Sequence, residues 1–438
     1  MGSNLVHLIS AVLALSVACT CPAQNFVAGA DMSHLKFFES KGKTYKDGGV
    51  TQDALAILKK QGLTCVRLRL FTSSAAQAAA NPYNYINNLD YAVPLAQRVK
   101  NAGLQFYLDF HYSDTWADPG HQAIPSAWTN LTFSQLVQQM YSYNSNSIAS
   151  FKTAGAMPDY VSIGNEITSG LLWPSGEVGG SFENSTQWSQ LGQLMKAAIQ
   201  GIQDASAGGT MPKIIVHIDR GGDWSITQWF FDNLNAQGVP FDMIGESYYP
   251  FWHGPLSSLS NCLNNAANRY HKPVIVAETA FPWTNSFWTT TINGITPSLT
   301  GQIQYVVALA PIVKGVAGGM GAGVFWWGTE YQGVNGVNEA GFNTTSFFDA
   351  GGNLLRSANE YGQLTAPLNL NISVADMGLV LSWPLSGAGF SLTTTTNLTP
   401  PVVWSPLPST IQNTGTVYWT TLPPDSGPQR FYRLQSNW

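Results

Sequence analysis

The sequence is short of charge. Only 10% of its 438 residues are Asp, Glu, Lys or Arg, and the net charge is −5 with no basic run. That excludes the dense cationic surface that a nucleic acid or an anionic membrane partner requires. Long apolar runs are scarce too. The only one, residues 5–18 ("LVHLISAVLALSVA"), stands at the N-terminus and is too short for a membrane span. Small residues follow it up to Ala23, so residues 1–23 read as a secretory signal, although the segment before the run lacks Lys and Arg. A secreted or periplasmic location is expected. Lipoprotein anchoring at Cys19 is disfavoured because "SVAC" lacks the Leu normally found three positions earlier.

Cysteine is nearly absent as well. Two of the four fall inside the signal, leaving Cys65 in a strand-like and Cys262 in a helix-like stretch, where free buried thiols are expected rather than a disulfide. A Gly-rich phosphate fingerprint is missing after the first strand-like run, which disfavours a dinucleotide-binding sheet. What the chain does have is bulk: 44% hydrophobic and 12% aromatic residues, enough for a large core and against disorder. Fifteen Trp and seventeen Tyr are explained by core packing, but flat aromatic faces also suit the axial C–H groups of sugar rings.

Eight short apolar runs recur, at 26–31, 65–71, 105–112, 160–166, 213–219, 243–249, 273–279 and 323–328, with amphipathic stretches such as 51–62 and 188–205 between them. Near-continuous apolar strands alternating with helices predict a parallel sheet covered on both faces, and eight units predict a (β/α)8 TIM barrel over residues 24–362. Beyond about residue 366 the texture turns to Thr, Ser, Pro and Val with alternation and turn signals. Residues 367–438 therefore read as a small C-terminal all-β sandwich-like module. Its tryptophans, Trp383, Trp404 and Trp419, are better explained by core packing than by carbohydrate binding.

Several runs end alike, with polar or aromatic residues at their C-terminal edges: Asp31, Arg69, His111, Asp114, Asn165, Glu166, His217, Asp219, Tyr248, Tyr249, Glu278 and Trp327. Singly, each could be a helix cap or a satisfied core residue. In a barrel those edges converge on one face, where active sites are built. Glu166 ends the fourth run and Glu278 the seventh, both in otherwise apolar sequence, so the two carboxyls face each other across the barrel mouth. Glycoside cleavage needs such a pair, one to protonate the leaving oxygen and one to attack or to activate water. Asn165 beside Glu166 could bond a sugar hydroxyl. Glu246 precedes its strand end and is read as facing a helix or an Arg behind the site rather than the substrate. A metal site formed by His111, Asp114, Asp118 and His121 is disfavoured, because zinc-type spacing on a helix is absent and Pro119-Gly120 makes a turn.

The stretches "GADMSHL" (29–35), "VRLRLF" (66–71), "LDFHYSDTWADPGHQ" (108–122), "IGNEITSGLLWPSG" (163–176), "IGESYYPFWHG" (244–254) and "VAETAFPW" (276–283) closely resemble the endo-β-1,4-galactanases of glycoside hydrolase family 53. The resemblance runs from about residue 26 to 360. It implies a retaining endo-acting hydrolase of β-1,4-galactan side chains, with Glu166 as acid/base and Glu278 as nucleophile. It also implies substrate contacts from Asn165 at the 2-hydroxyl and from Tyr248 as an aromatic near the nucleophile. His111, Asp114, Trp116 and His217 match cleft positions. No cofactor is required by it. Some members hold a structural calcium in the loop after the eighth strand, where the usual Tyr-Trp-Glu-Pro is Trp326-Trp327-Gly328-Thr329 here, so a structural calcium stays open but its ligands are not assignable. Trp327 keeps the ring expected as a sugar platform. The partner implied is the polysaccharide alone, and a monomer is expected. The rival readings are another retaining β-1,4-glycanase, of mannanase or cellulase type, and a non-catalytic galactan-binding protein.

Overall fold

The computed structural model describes residues 26–285, 291, 294–365, 369–375, 378–384, 390–413, 417–422 and 429–436. The expected signal, residues 1–23, lies outside them. Eight parallel strands close into a barrel: β1 (Val27–Asp31), β2 (Cys65–Leu70), β3 (Gln105–Phe110), β4 (Tyr160–Ser162), β5 (Lys213–Ile218), β6 (Met243–Ser247), β7 (Val274–Thr279) and β8 (Gly321–Trp326). Each pairs with its neighbours in chain order, and β8 returns to β1. Helices lie between successive strands, so the apolar strand runs are buried on both faces as the sequence predicts.

Local signals set the helix ends. Asp53 caps the helix Ala54–Gln61 by accepting from the Leu55 N–H, and Gly62 stops it at φ +111°. Thr132 and Gln135 form a reciprocal capping box on Phe133–Thr153. The barrel interior is filled from below by Val27, Cys65, Tyr107, Ile215, Ile275 and Phe325. A Cβ at Gly29 would sit 2.2 Å from the Phe325 ring, so only glycine lets that ring plug the floor. The closing helix, Arg356–Gly362, places the Tyr361 hydroxyl 2.6 Å from the carbonyls of both Gly29 and Val324, pinning it to the seam between β1 and β8. Cys65 and Cys262 are free and buried.

The C-terminal strands are β9 (Asn371–Ala375), β10 (Gly378–Pro384), β11 (Phe390–Thr395), β12 (Ser405–Pro406), β13 (Gln412–Asn413), β14 (Val417–Leu422) and β15 (Phe431–Ser436). They form two antiparallel sheets, ordered β9-β10-β14-β13 and β12-β11-β15. Leu381 and Trp383 from the first sheet and Leu392 from the second share one apolar cluster. Trp383 is therefore a core residue, while the Trp404 ring is covered by the Arg433 guanidinium at 4.3 Å. No helix among the described residues is long and apolar enough to cross a membrane.

Candidate active site

Strand β4 leaves the barrel ladder at Ser162, earlier than the apolar run suggests. Gly164 then adopts φ +89° and Glu166 φ +51°, a left-handed conformation that is uncommon for a residue with a Cβ. A Cβ at Gly164 would meet Ile167 at 2.5 Å. This local break turns both Asn165 and Glu166 toward the barrel mouth, where strict alternation would present only one of them.

Strand β7 achieves the same end by a bulge. Ser247 pairs with Glu278 although Glu246 pairs with Val276, and on the other side Thr279 reaches Trp326 although Val276 pairs with Val324. The extra residue lets Ala277 and Glu278 both face inward. Thr279 faces out instead, its hydroxyl 2.6 Å from Tyr305 on the helix Leu299–Lys314. Bulges re-aim side chains in this way beside functional sites. The closest carboxylate oxygens of Glu166 and Glu278, with a ring nitrogen of His217, lie within 4.8 Å of one another.

A wholly buried arginine organises this mouth. Arg67 Nη1 is 2.7 Å from Glu278 Oε1 and 3.3 Å from Asp31 Oδ2. Its Nη2 is 2.6 Å from Asp109 Oδ2 and donates to Asn165 Oδ1 at 2.7 Å. Burial opposes the charge, but the surrounding carboxylates of Asp109, Glu278 and Asp31 more than restore it. Asn165 Nδ2 donates to the Ala117 carbonyl at 2.8 Å, so both ends of the amide are tied. His111 Nδ1 accepts from Ala117 N–H at 3.0 Å, which puts its proton on Nε2, 2.9 Å from Asp109. Burial, aided by Arg69 and Arg67, keeps that imidazole below its usual pKa despite Asp109.

The residues chosen from sequence separate into two groups. His111, Trp116, Asn165, Glu166, Glu278 and Trp327 line one cleft of about 630 Å3 at the C-terminal ends of the strands. Asp31, Arg69, His217, Asp114 and Tyr248 do not line it. Asp31 holds Arg67. Arg69 is fully buried, 4.2 Å from the Trp116 ring and 4.6 Å from the Trp327 ring, and so braces the two indoles. His217 is buried with Nε2 2.8 Å from the Ser247 hydroxyl, and burial together with Arg67 pushes its pKa down to about 3. Asp114 ties loops together through Thr72, Gln77 and Ser126. The tyrosine beside Glu278 is Tyr249, not Tyr248. Tyr249 donates to Glu278 Oε2 at 2.8 Å, while Tyr248 donates to the Gly254 carbonyl at 2.6 Å. Glu246 faces outward, accepting from the Arg220 N–H and the Thr227 hydroxyl.

Arg67 and Asp109 were the residues that end-of-strand reasoning passed over, while Tyr249 stood among the strand-end residues but Tyr248 was assigned the place beside Glu278. The signal for the first two was present: Arg67 precedes Arg69, and Asp109 precedes His111, by two positions, so each pair shares a strand face. The choice between Tyr248 and Tyr249 had no such signal, because the register slip beside them is invisible in one sequence.

Burial, then the charges of Glu278 and Asp219, push the Glu166 carboxyl well above the ordinary glutamate range. Burial raises Glu278 too, but Arg67 and the Tyr249 hydroxyl pull against it. Glu278 is therefore the member of the pair that gives up its proton first. Among the described residues, Glu166, His217 and Glu278 are the group close enough to share a metal ion. Their donors do not fit that use: Glu278 is shared between Arg67 and Tyr249, and a guanidinium 2.7 Å from the carboxylate opposes a second cation. The four residues weighed for metal from sequence do not converge. Asp118 and His121 pair with each other at the surface, apart from the partners of His111 and Asp114.

The profile of glycosyl hydrolase family 53 matches residues 27–360. The chain belongs to glycosyl hydrolase family 53. This family-53 chain is 37% identical over 310 residues to the arabinogalactan endo-β-1,4-galactanase of Humicola insolens, covering 68% of this chain and 88% of that protein. An uncharacterized protein of Niallia circulans is 39% identical over 314 residues, 69% of this chain and 83% of its own. Among solved structures, the family-53 catalytic domain of Ignisphaera aggregans superposes with a TM-score of 0.69 at 31% identity, over 78% of this chain and 97% of that one. A fungal β-1,4-galactanase gives 0.67 at 34%, over 76% and 98%.

Proposed function

We propose that this family-53 enzyme is a retaining endo-β-1,4-galactanase, with Glu278 as nucleophile and Glu166 as acid/base. The observation that carries the reading is the spacing of the pair. Oxygens within 4.8 Å match the roughly 5–5.5 Å of double displacement rather than the wider gap that admits a water. Glu278, ionised against Arg67, attacks the anomeric carbon while Glu166 gives its proton to the leaving oxygen. Once Glu278 is an ester, its charge no longer raises the Glu166 pKa, so Glu166 can take a proton from the water that releases the sugar. Asn165, held by Arg67 and Ala117, is placed to bond the 2-hydroxyl, and Trp327 offers a ring at the mouth. The names of the relatives support β-1,4-galactan as the substrate. Export after removal of residues 1–23, action as a monomer, and a barrel of residues 24–362 separate from a module at 367–438 belong to the same reading.

Hydrolysis of purified polysaccharides tests the substrate, with cleavage of unbranched β-1,4-galactan and little action on carboxymethylcellulose or mannan expected. Azide tests the roles. Glu166→Ala, given an activated aryl galactoside, should form the ester and yield the β-galactosyl azide. Glu278→Ala should take azide directly from the opposite face and yield the α-azide. Swapped products would reverse the assignment, and near wild-type activity in either variant would remove that residue from the mechanism.

A further inference from the structure

Two residues past Glu166, at Thr168, a second groove opens, of about 520 Å3, lined also by Trp173, Phe182, Glu183, Arg220 and Trp229. It adjoins the catalytic cleft. Arg220 lines both, and Asp219 on the cleft side is joined to Thr168 on the groove side, the Thr168 hydroxyl donating to the Asp219 carboxylate at 2.5 Å and accepting from the Asp219 N–H at 3.3 Å.

We infer that this groove is a distal subsite for sugars on the leaving-group side of the cleaved bond. The inference rests on the galactanase reading, because that reading fixes the direction of the chain. The acid protonates the departing oxygen, so the departing sugars extend past Glu166 rather than past Glu278. The groove begins on the loop that carries Glu166. Its chemistry is that of a site for a neutral polyol. Two indoles and a phenyl ring supply flat faces for C–H stacking. Glu183 is held in place by indole N–H groups of Trp188 at 3.2 Å and Trp229 at 3.3 Å, presenting a fixed acceptor. Arg220 supplies donors, and its buried Nε has no protein acceptor among the described residues. A buried N–H without a partner is a position where a ligand hydroxyl gains a full hydrogen bond. One cation beside the carboxylates of Glu177 and Glu183 leaves no excess positive charge for an anionic polymer.

The test uses the full chain and β-1,4-galacto-oligosaccharides of increasing length, labelled at the reducing end. The quantity read is kcat/KM on the octasaccharide divided by kcat/KM on the tetrasaccharide, measured in one preparation so that the folded fraction cancels. Trp229→Ala and, as a milder change, Phe182→Ala should each lower this ratio about threefold to tenfold, the loss expected for one aromatic contact. The labelled fragments should become shorter as the chain slides out of the weakened side. If the wild type cleaves galactan and both variants keep its ratio and fragment pattern, the groove is not a subsite and the galactanase reading stands. If the wild type leaves galactan intact, both fall together.

Discussion

Replacing Tyr249 by Phe removes one hydroxyl and keeps the ring, so it isolates a single hydrogen bond to Glu278, the proposed nucleophile. That bond is 2.8 Å long, its acceptor is Glu278 Oε2, and both residues are buried. A hydrogen bond to a charged group contributes about 1.5–3 kcal/mol. At about 1.36 kcal/mol per pKa unit, losing it should raise the Glu278 pKa by about 1–2 units. The direction follows from the groups around Glu278. Burial already raises Glu278, and the hydroxyl is one of the two influences that lower it. Attack needs the ionised carboxylate, so activity is present above this pKa and is lost as pH falls through it. The acid limb of kcat/KM should therefore move to higher pH by about 1–2 units, which at a fixed pH on that limb is a loss of about 10- to 100-fold. The assay is a pH profile on an aryl galactobioside, with Tyr248→Phe alongside. Tyr248 bonds a neutral carbonyl, so its loss should reduce stability by about 0.5–1.5 kcal/mol and leave the limb in place. An unmoved limb in Tyr249→Phe, or an equal shift in Tyr248→Phe, would refute the assignment of the hydroxyl to an ionised Glu278.

Glu330, whose Oε1 accepts from the His34 N–H at 2.8 Å while Oε2 has no partner among the described residues, is raised by burial to a pKa of about 8. Its folded-state value exceeds the unfolded one of about 4.3, so stability is lost as pH rises between the two, by up to about 1.4 kcal/mol per unit. Denaturant titrations from pH 5 to 9 should show Glu330→Gln gaining on the wild type up to about pH 8 and then holding level; a constant difference would mean that Glu330 is ionised throughout. A chain ended at residue 366 keeps Tyr361 on the β1–β8 seam and the buried Leu364. It should fold and retain activity on soluble galactan, and an insoluble or inactive product beside an active full chain would make the C-terminal sheets part of the barrel's fold.

Much of this molecule was legible in its sequence because the relevant physics is local. Eight apolar runs, each buried on both faces, call for a parallel sheet with helices outside, and eight such units favour the closed barrel, in which their polar C-terminal ends meet at one mouth. The cap at Asp53 and the stop at Gly62 are likewise written in adjacent residues. Glu166 and Glu278 stood out because carboxylates in apolar sequence are costly unless something requires them. Their direction was another matter. Alternation along β7 would turn Glu278 outward with Val276, and only the bulge, set by pairing with β6 and β8, turns it in. The same slip decided between Tyr248 and Tyr249, neighbours in sequence that a one-residue shift exchanges between faces. Arg67 is the clearest case. Its charge survives complete burial because Asp31, Asp109, Asn165 and Glu278 come to it from strands β1, β3 and β7 and the loop after β4. No stretch of sequence contains that convergence; closing the barrel creates it.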